Sequence, residues 1–497
     1  MGRLWGIGLL CIAVLQPFGA QAQQMDYKAR QQIKAEIAGL TDPQATATLR
    51  SDARSVMAGV GLQPVAADVP EVAVKAFVPG TGAVLELVDI RLLLTQIAIQ
   101  TGARDHVALV RAQGDRDHNV ILLRGGFVRL ADLVALSQGT PAQAFVAATP
   151  DGLVLTRPLA IWSDAGLTLA TGDHLVLDRP SGSFVANLGW LDMSGGKISG
   201  TAAQNVSEPA FRPFVLTAGQ GSFTARDASF QALGFGDAAV FGGISVANTG
   251  LVAAQLESAL TGSTLYDVGT VGLIGTTGAV IAGNWIESSD ETAVLISAAT
   301  NTVVAANRLT EGSGPQAIRV TDRSAKVSIT GNLLSGGART GILVERDSTD
   351  ITLSANLVAG NLTTGIGVTR ASCVVVSGNL VAENGGIGIS LTDIDGAVVA
   401  DNAILFNKGS GILIRDQRET ALVRVSGNVF IGNRDGLRGA TPGKVELSAN
   451  RLDGQIPRMF AGDFSTMTAD WLRQRDPAAV ITPAAAPASP CRTPGAD

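Results

Sequence analysis

The segment Gly365-Ile-Gly-Val-Thr-Arg-Ala-Ser-Cys-Val-Val-Val-Ser-Gly-Asn-Leu-Val-Ala-Glu-Asn384, with Gly388-Ile-Ser-Leu-Thr-Asp393 after it, decides the fold, because the chain repeats its pattern on both sides. An Asn closes a short β-rich run at Asn284, Asn307, Asn332, Asn356, Asn379, Asn402, Asn428 and Asn450, at spacings of 23, 25, 24, 23, 23, 26 and 22 residues. That period is the length of a solenoid coil. A Gly-Ile element recurs in the other half of the unit, at Gly341, Gly365, Gly388 and Gly411. Apolar residues alternate through it (Ile342 and Val344, Ile366 and Val368, Ile389 and Leu391, Ile412 and Ile414), the period of a half-buried strand. A second Asn column, Asn361, Asn384, Asn407 and Asn433, marks another corner. Asn is expected to take the left-handed conformation at these corners and to bond its counterpart in the next coil.

Units this short bury no core alone, but stacked about 4.8 Å apart they enclose a shared apolar interior. Because parallel crossovers are right-handed, the expectation is an all-β, right-handed parallel β-helix with coils of about 23 residues. A leucine-rich repeat would need regularly spaced Leu and a helix-length segment per unit, and neither is present.

The 497 residues are 46% hydrophobic and 16% charged, which excludes disorder and allows a large core. The net charge of -6, without a basic run, argues against nucleic acid as a partner. Residues 1–22 read as a signal peptide, with Arg3, an apolar run from Ile7 to Leu15, and Ala20-Gln-Ala22 for cleavage, so the mature chain is expected in the periplasm. No later run is long and apolar enough for membrane insertion. Once Cys11 is removed with the leader, Cys373 and Cys491 read as unpaired thiols, and no spacing suggests a metal or other cofactor.

Residues 23–118 read as a small α/β region capping the solenoid, with amphipathic helices around Ala29–Leu40 and Val88–Thr101. Looser coils are expected over 119–279 and regular ones over 280–475, ending in a capping helix from Ser465 to Gln474 with Ser465 as N-cap. Residues 476–497, rich in Pro and Ala, are expected to be disordered.

Several stretches resemble the periplasmic alginate epimerases, the mannuronan C5-epimerases of bacterial exopolysaccharide secretion. They are Gly126-Phe-Val-Arg-Leu-Ala-Asp-Leu133, Ser183-Phe-Val-Ala-Asn187 with Gly189-Trp-Leu-Asp192, and Phe211-Arg-Pro-Phe214 with Leu233-Gly-Phe235. The family's reaction centre is an Asp-Pro-His-Asp-Arg-Ser type segment, followed one coil later by a catalytic Arg. The matching segment is Arg319-Val-Thr-Asp-Arg-Ser324, so Asp322-Arg323-Ser324 is retained, the His position is Thr321 and the leading Asp is Arg319. The later Arg is Arg346.

The resemblance implies a uronic acid polymer as substrate. C5 epimerisation removes a proton α to a carboxylate, which requires a cation to offset the carboxylate, a base on one face and a proton donor on the other. Arg346 can supply the cation, whereas Thr321 cannot be the base. His106, His118 and His174 all precede the repeats and read as surface or cap residues. Asp322 and Glu345 would need raised pKa values that neighbouring Arg side chains oppose. Tyr266 is a weak candidate donor.

Counted from the Gly-Ile position, Thr321, Glu345, Thr369, Thr392 and Arg415 share one column, and Asp322, Arg346, Arg370, Asp393 and Asp416 the next. Alternation turns Arg319 and Thr321 outward. The resulting stripe of Arg319, Arg323, Arg346, Arg370 and Arg415, with Glu345, reads either as a solvated face or as a groove for an anionic, alginate-like polysaccharide. Three functions follow: a degraded epimerase relative that binds or guides the polymer, an active epimerase or lyase with a rearranged base, or a structural subunit contacting proteins of a secretion complex.

Overall fold

The computed structural model describes residues 28, 31–39, 57–63, 82–103, 106–114, 117–202, 211–236, 238–249, 258–310, 312–441, 443–455, 457–474 and 479–481. The repeats close into a right-handed parallel β-helix of about 12 turns. Each coil crosses three faces, as Gln316–Thr321 on the first, Ala325–Thr330 on the second and Leu333–Ser335 on the third. Every strand of that coil pairs in parallel with its counterpart in the next. In the strands Thr340–Ser354 and Thr364–Ser377 the first two faces run continuously through their corner.

Alternation fixes which side chains point inward. Ile342, Val344, Ile366, Val368, Ile389, Leu391, Ile412 and Ile414 are all fully buried, stacked along the interior. The Asn corners are closed by amides rather than by apolar contact. Asn356 donates its Nδ2 to Asn379 Oδ1 at 3.0 Å and to the Ile329 carbonyl at 2.9 Å, while its backbone N–H donates to the same Asn379 Oδ1 at 2.9 Å. This pattern repeats from Asn284 to Asn450, so buried polar groups that would otherwise be costly are paired coil by coil. The second column repeats it from Asn361 through Asn433 to Gln455.

The expectation that these Asn residues are left-handed is corrected. The left-handed residue is the one before each, as in Gly331, Ala355, Gly378, Asp401 and Gly427. Positive φ and the ladder amide are separate demands, met by neighbouring residues.

Before the coils, Val84–Asp89 pairs antiparallel with Asn119–Arg124. The expected second helix spans Ile90–Thr101, with Asp89 accepting from the Arg91 N–H at the N-cap. Its Ile90, Leu93 and Ile97 pack on Val120, Ala160, Phe184, Phe214 and Leu216, covering the outer side of the first face in the early coils. The Phe184 and Phe214 rings of the family-like segments stack at 4.5 Å under this helix, so those segments serve packing. A helix over residues 31–39 brings Ile37, with Met57 and Val60, onto the third face at Leu357, Leu380 and Leu405. The outer side of the first face in the later coils receives neither helix.

At the far end Phe464 and Trp471 enter the main core. The terminal helix is Met467–Gln474, preceded by a 3-10 turn at Asp463–Thr466, so Ser465 lies within that turn and is not the N-cap. Ala479–Ile481 pairs antiparallel with Lys444–Ser448. The expected leader and the rest of the Pro/Ala-rich tail lie outside the described residues. Cys373 is disulfide-bonded, which corrects its reading as an unpaired thiol.

Candidate functional site on the first face

The first-face strands place the expected columns side by side. Thr321 follows the Val320–Val344 pair, Glu345 pairs with Thr369, Thr369 with Thr392, and Thr392 with Arg415. Asp322, Arg346, Arg370, Asp393 and Asp416 follow at the corner, each with positive φ. An L side chain pays about 1–2 kcal/mol for that conformation.

Two consecutive coils pay it twice. Asp322 and Arg323 are both left-handed, as are Arg346 and Asp347, whereas the next three coils use one such residue. The ladder shows the cause, since Glu345 to Ser348 opposes Thr369 to Ala371, one residue fewer. Such a bulge re-aims the side chains beside it. Ser324 closes the first of these corners by donating Oγ to the Thr321 carbonyl at 2.7 Å, and Ser348 closes the next by donating to the Glu345 carbonyl at 2.7 Å. The retained Asp-Arg-Ser end therefore has a backbone role that needs no chemistry.

Around the corners lies a paired charge network. Arg319 donates through Nε to Glu345 Oε1 at 2.9 Å and also through NH2. Arg346 NH1 donates to Asp322 Oδ1 at 3.1 Å, with its Nε 3.8 Å from Glu345. Ser297, which the sequence did not single out, donates to Asp322 Oδ2 at 2.8 Å from the preceding coil. Partial burial pulls the Asp322 carboxyl upward, but the bonds from Ser297 and Arg346 and the charges of Arg346 and Arg319 outweigh it and hold it below the usual aspartate value. Hydrogen bonding and charge from Asp322, then Glu345, push the Arg346 guanidinium up. Asp322 is thus a carboxylate at neutral pH and a weak base, and Arg346 a permanent cation.

Thr321, expected from alternation to turn outward, is only 2% exposed. Its Oγ1 has no hydrogen-bond partner. Arg323 and Arg370 are exposed and make no ion pair among the described residues. Arg415 Nε donates to Thr392 Oγ1 at 3.2 Å and lies 3.7 Å from Asp416.

The fold leaves the other candidates elsewhere. Tyr266 is exposed on the third face, in Thr264–Val268. His174 is on that face too, its Nε2 2.8 Å from Ser199 Oγ, and burial first, then Lys197, pulls its pKa down. His106 begins a short helix before the coils, and His118 accepts from the Ile90 N–H through its carbonyl. No imidazole joins the corner network.

Residues 255–454 match the family model described as "Periplasmic copper-binding protein (NosD)". That stretch contains no His or Met, and its one Cys, Cys373, is disulfide-bonded. Among the described residues no three His, Cys, Asp or Glu side chains gather to hold a metal, so the donor set does not suit copper. No curated protein matches the sequence. Among solved structures, the periplasmic alginate epimerase AlgG superposes with a TM-score of 0.58 at 17% identity, over 80% of this chain and 98% of that one. One point mutant of AlgG gives a TM-score of 0.61 at 17% identity, over 76% of this chain and 92% of that one. A second gives 0.58 at 19% identity, over 77% and 92%. From the first coil to the last, the chain has the right-handed parallel β-helix fold of the periplasmic alginate epimerase.

Proposed function

We propose that this is a periplasmic protein that binds an anionic uronic-acid polysaccharide along the outer side of its first face and epimerises it poorly or not at all. The observation that carries the second half is Thr321, a buried hydroxyl where the resemblance calls for an imidazole. The carboxylates beside it are engaged with Arg319 and Arg346. A proton-abstracting group contributes about 10²- to 10⁴-fold, so without one the remaining charge neutralisation leaves little turnover.

Binding is supported by the exposed guanidinium groups of Arg323 and Arg370, by the half of Arg346 left in solvent, and by the lack, among the described residues, of a covering helix over the later coils. The likeness to a periplasmic alginate epimerase supports the polymer class and the compartment. Among the described residues no helix is long and apolar enough to cross a membrane. A role in guiding the polymer during synthesis and export, beside proteins of a secretion complex, belongs to the same reading.

The test is incorporation of deuterium at C5 of polymannuronate in heavy water, followed by NMR, alongside a binding assay with the same polymer. The expected result is binding with exchange at background. Robust exchange by the wild type means that another residue is the base and overturns the non-catalytic half of the proposal.

A further inference from the structure

Five coils beyond Arg319, three guanidinium groups converge on one buried carboxylate. Asp435 opens the first-face strand Asp435–Ala440, and its side chain has no exposed surface. Arg458 Nε is 2.8 Å from its Oδ1, while Arg434 Nε and Arg438 NH1 are each 3.5 Å from Oδ2. Ser410 donates to Oδ2 at 3.2 Å. All three arginines keep 42–57% of their side chains in solvent. Lys408 stands one coil below Arg434, in register through the Asn407–Asn433 pair.

One cation offsets the charge of a buried carboxylate, and Arg458 lies nearest, though without hydrogen-bond geometry to Oδ1; among the described residues the one arginine hydrogen bond to Asp435 is the 3.5 Å contact from Arg438 NH1 to Oδ2. Three guanidinium groups on one carboxylate leave a surplus of two positive charges, and Arg434 and Arg438 keep 54% and 42% of their side chains in solvent. The Arg319–Glu345 and Arg346–Asp322 pairs, by contrast, balance to zero.

The ladder puts the two clusters on one line. Arg319 pairs with Leu343, Leu343 with Gly367, Gly367 with Ser390, Ser390 with Leu413, and Leu413 with Arg438. The four residues between carry no charge, and five coil steps amount to about 24 Å along the axis. We infer that Arg434 and Arg438 form a second carboxylate subsite for the polyuronate, which lies along this line and is gripped at both ends. The inference rests on the first face being the polymer groove. A chain held at two points gains affinity without new contacts at either, by as much as about 10²- to 10⁴-fold once it is long enough to span them.

The experiment compares oligomannuronates shorter and longer than about 24 Å for binding to the wild type and to an Arg434→Gln, Arg438→Gln variant. That variant keeps the Arg458–Asp435 pair, and an unchanged melting temperature checks its fold. If the double variant fails to fold, Arg434→Gln alone, at an exposed position, takes its place. The wild type is expected to bind the longer oligomer at least about 100-fold more tightly, and the variant to lose that advantage while keeping its affinity for the shorter one. Equal affinity of both proteins for the longer oligomer, or no length dependence in the wild type, overturns the subsite alone. No binding of either oligomer overturns the groove as well.

Discussion

Asp322 shows how a single residue can look catalytic and behave otherwise. Its carboxyl is held below the ordinary aspartate value of 3.8, so its pairing stabilises the fold above that pH and is lost as the pH falls through its depressed value. Asp322→Asn keeps a residue that tolerates positive φ, removes the charge and turns one of the two acceptor oxygens into an amide donor. The exposure of the pair keeps the neutral-pH loss small. The stability gap between wild type and variant, from urea melts, is expected to close as the pH drops below 3.8. A gap that stays constant into strong acid would show that the charge contributes nothing. At this scale the sequence was only partly legible. The columns could be counted from Gly-Ile, but the burial of Thr321 arises from the stacking of its neighbours, and Ser297 lies in a coil where nothing but stacking brings it to Asp322.

At the scale of the coil, two kinds of contact hold the stack, and they fail differently. Ile389→Asp puts a charge without a partner into the interior and is expected to cost several kcal/mol, lowering the melting temperature sharply. Asn379→Ala removes the acceptor used by both the backbone N–H and the Nδ2 of Asn356, and the Nδ2 donor to Asn402. Each orphaned group costs about 1–3 kcal/mol, so chemical denaturation should show a loss of similar size without any cavity in the apolar core. Period, strand alternation and ladder were legible because each repeats many times. The left-handed residue was misplaced by one position because Ala355 carries no signal for positive φ, and Asp401, which tolerates it, stands beside an Asn that tolerates it as well. The bulged corners were hidden for the same reason, since one extra residue within a spacing of 24 or 25 does not say where it sits.

For the molecule as a whole, the net charge of -6 means that long-range repulsion opposes an anionic polymer, and binding must come from local cations. Exchanging Arg346 and Arg370 for Glu is therefore expected to weaken polyuronate binding sharply at physiological salt, and Lys at both positions to restore part of it, because an ammonium lacks the planar fork. Wild-type binding should weaken as salt rises, since the Debye length falls from about 10 Å at 0.1 M to 3 Å at 1 M. A salt-independent wild type, or a Glu variant that binds as well, would leave the first face as a solvated surface. The N-terminal helix, covering early coils only, was not legible as the boundary of the open face. Its amphipathic pattern shows that it packs but not on what.

The coil spacing turns the stack into a measuring rod. Because the strands of each coil pair only with those above and below, and the Asn ladders repeat from step to step, a whole unit such as 365–387 can in principle be excised and the cut ends will still mate, at the cost of the Cys373 disulfide and of the Leu380 contact with the N-terminal segment on the third face. Such an edit would leave both charged clusters chemically intact and bring them one division closer, so the dimension a bound chain must match is set by how many units were counted out, not by any residue that touches it.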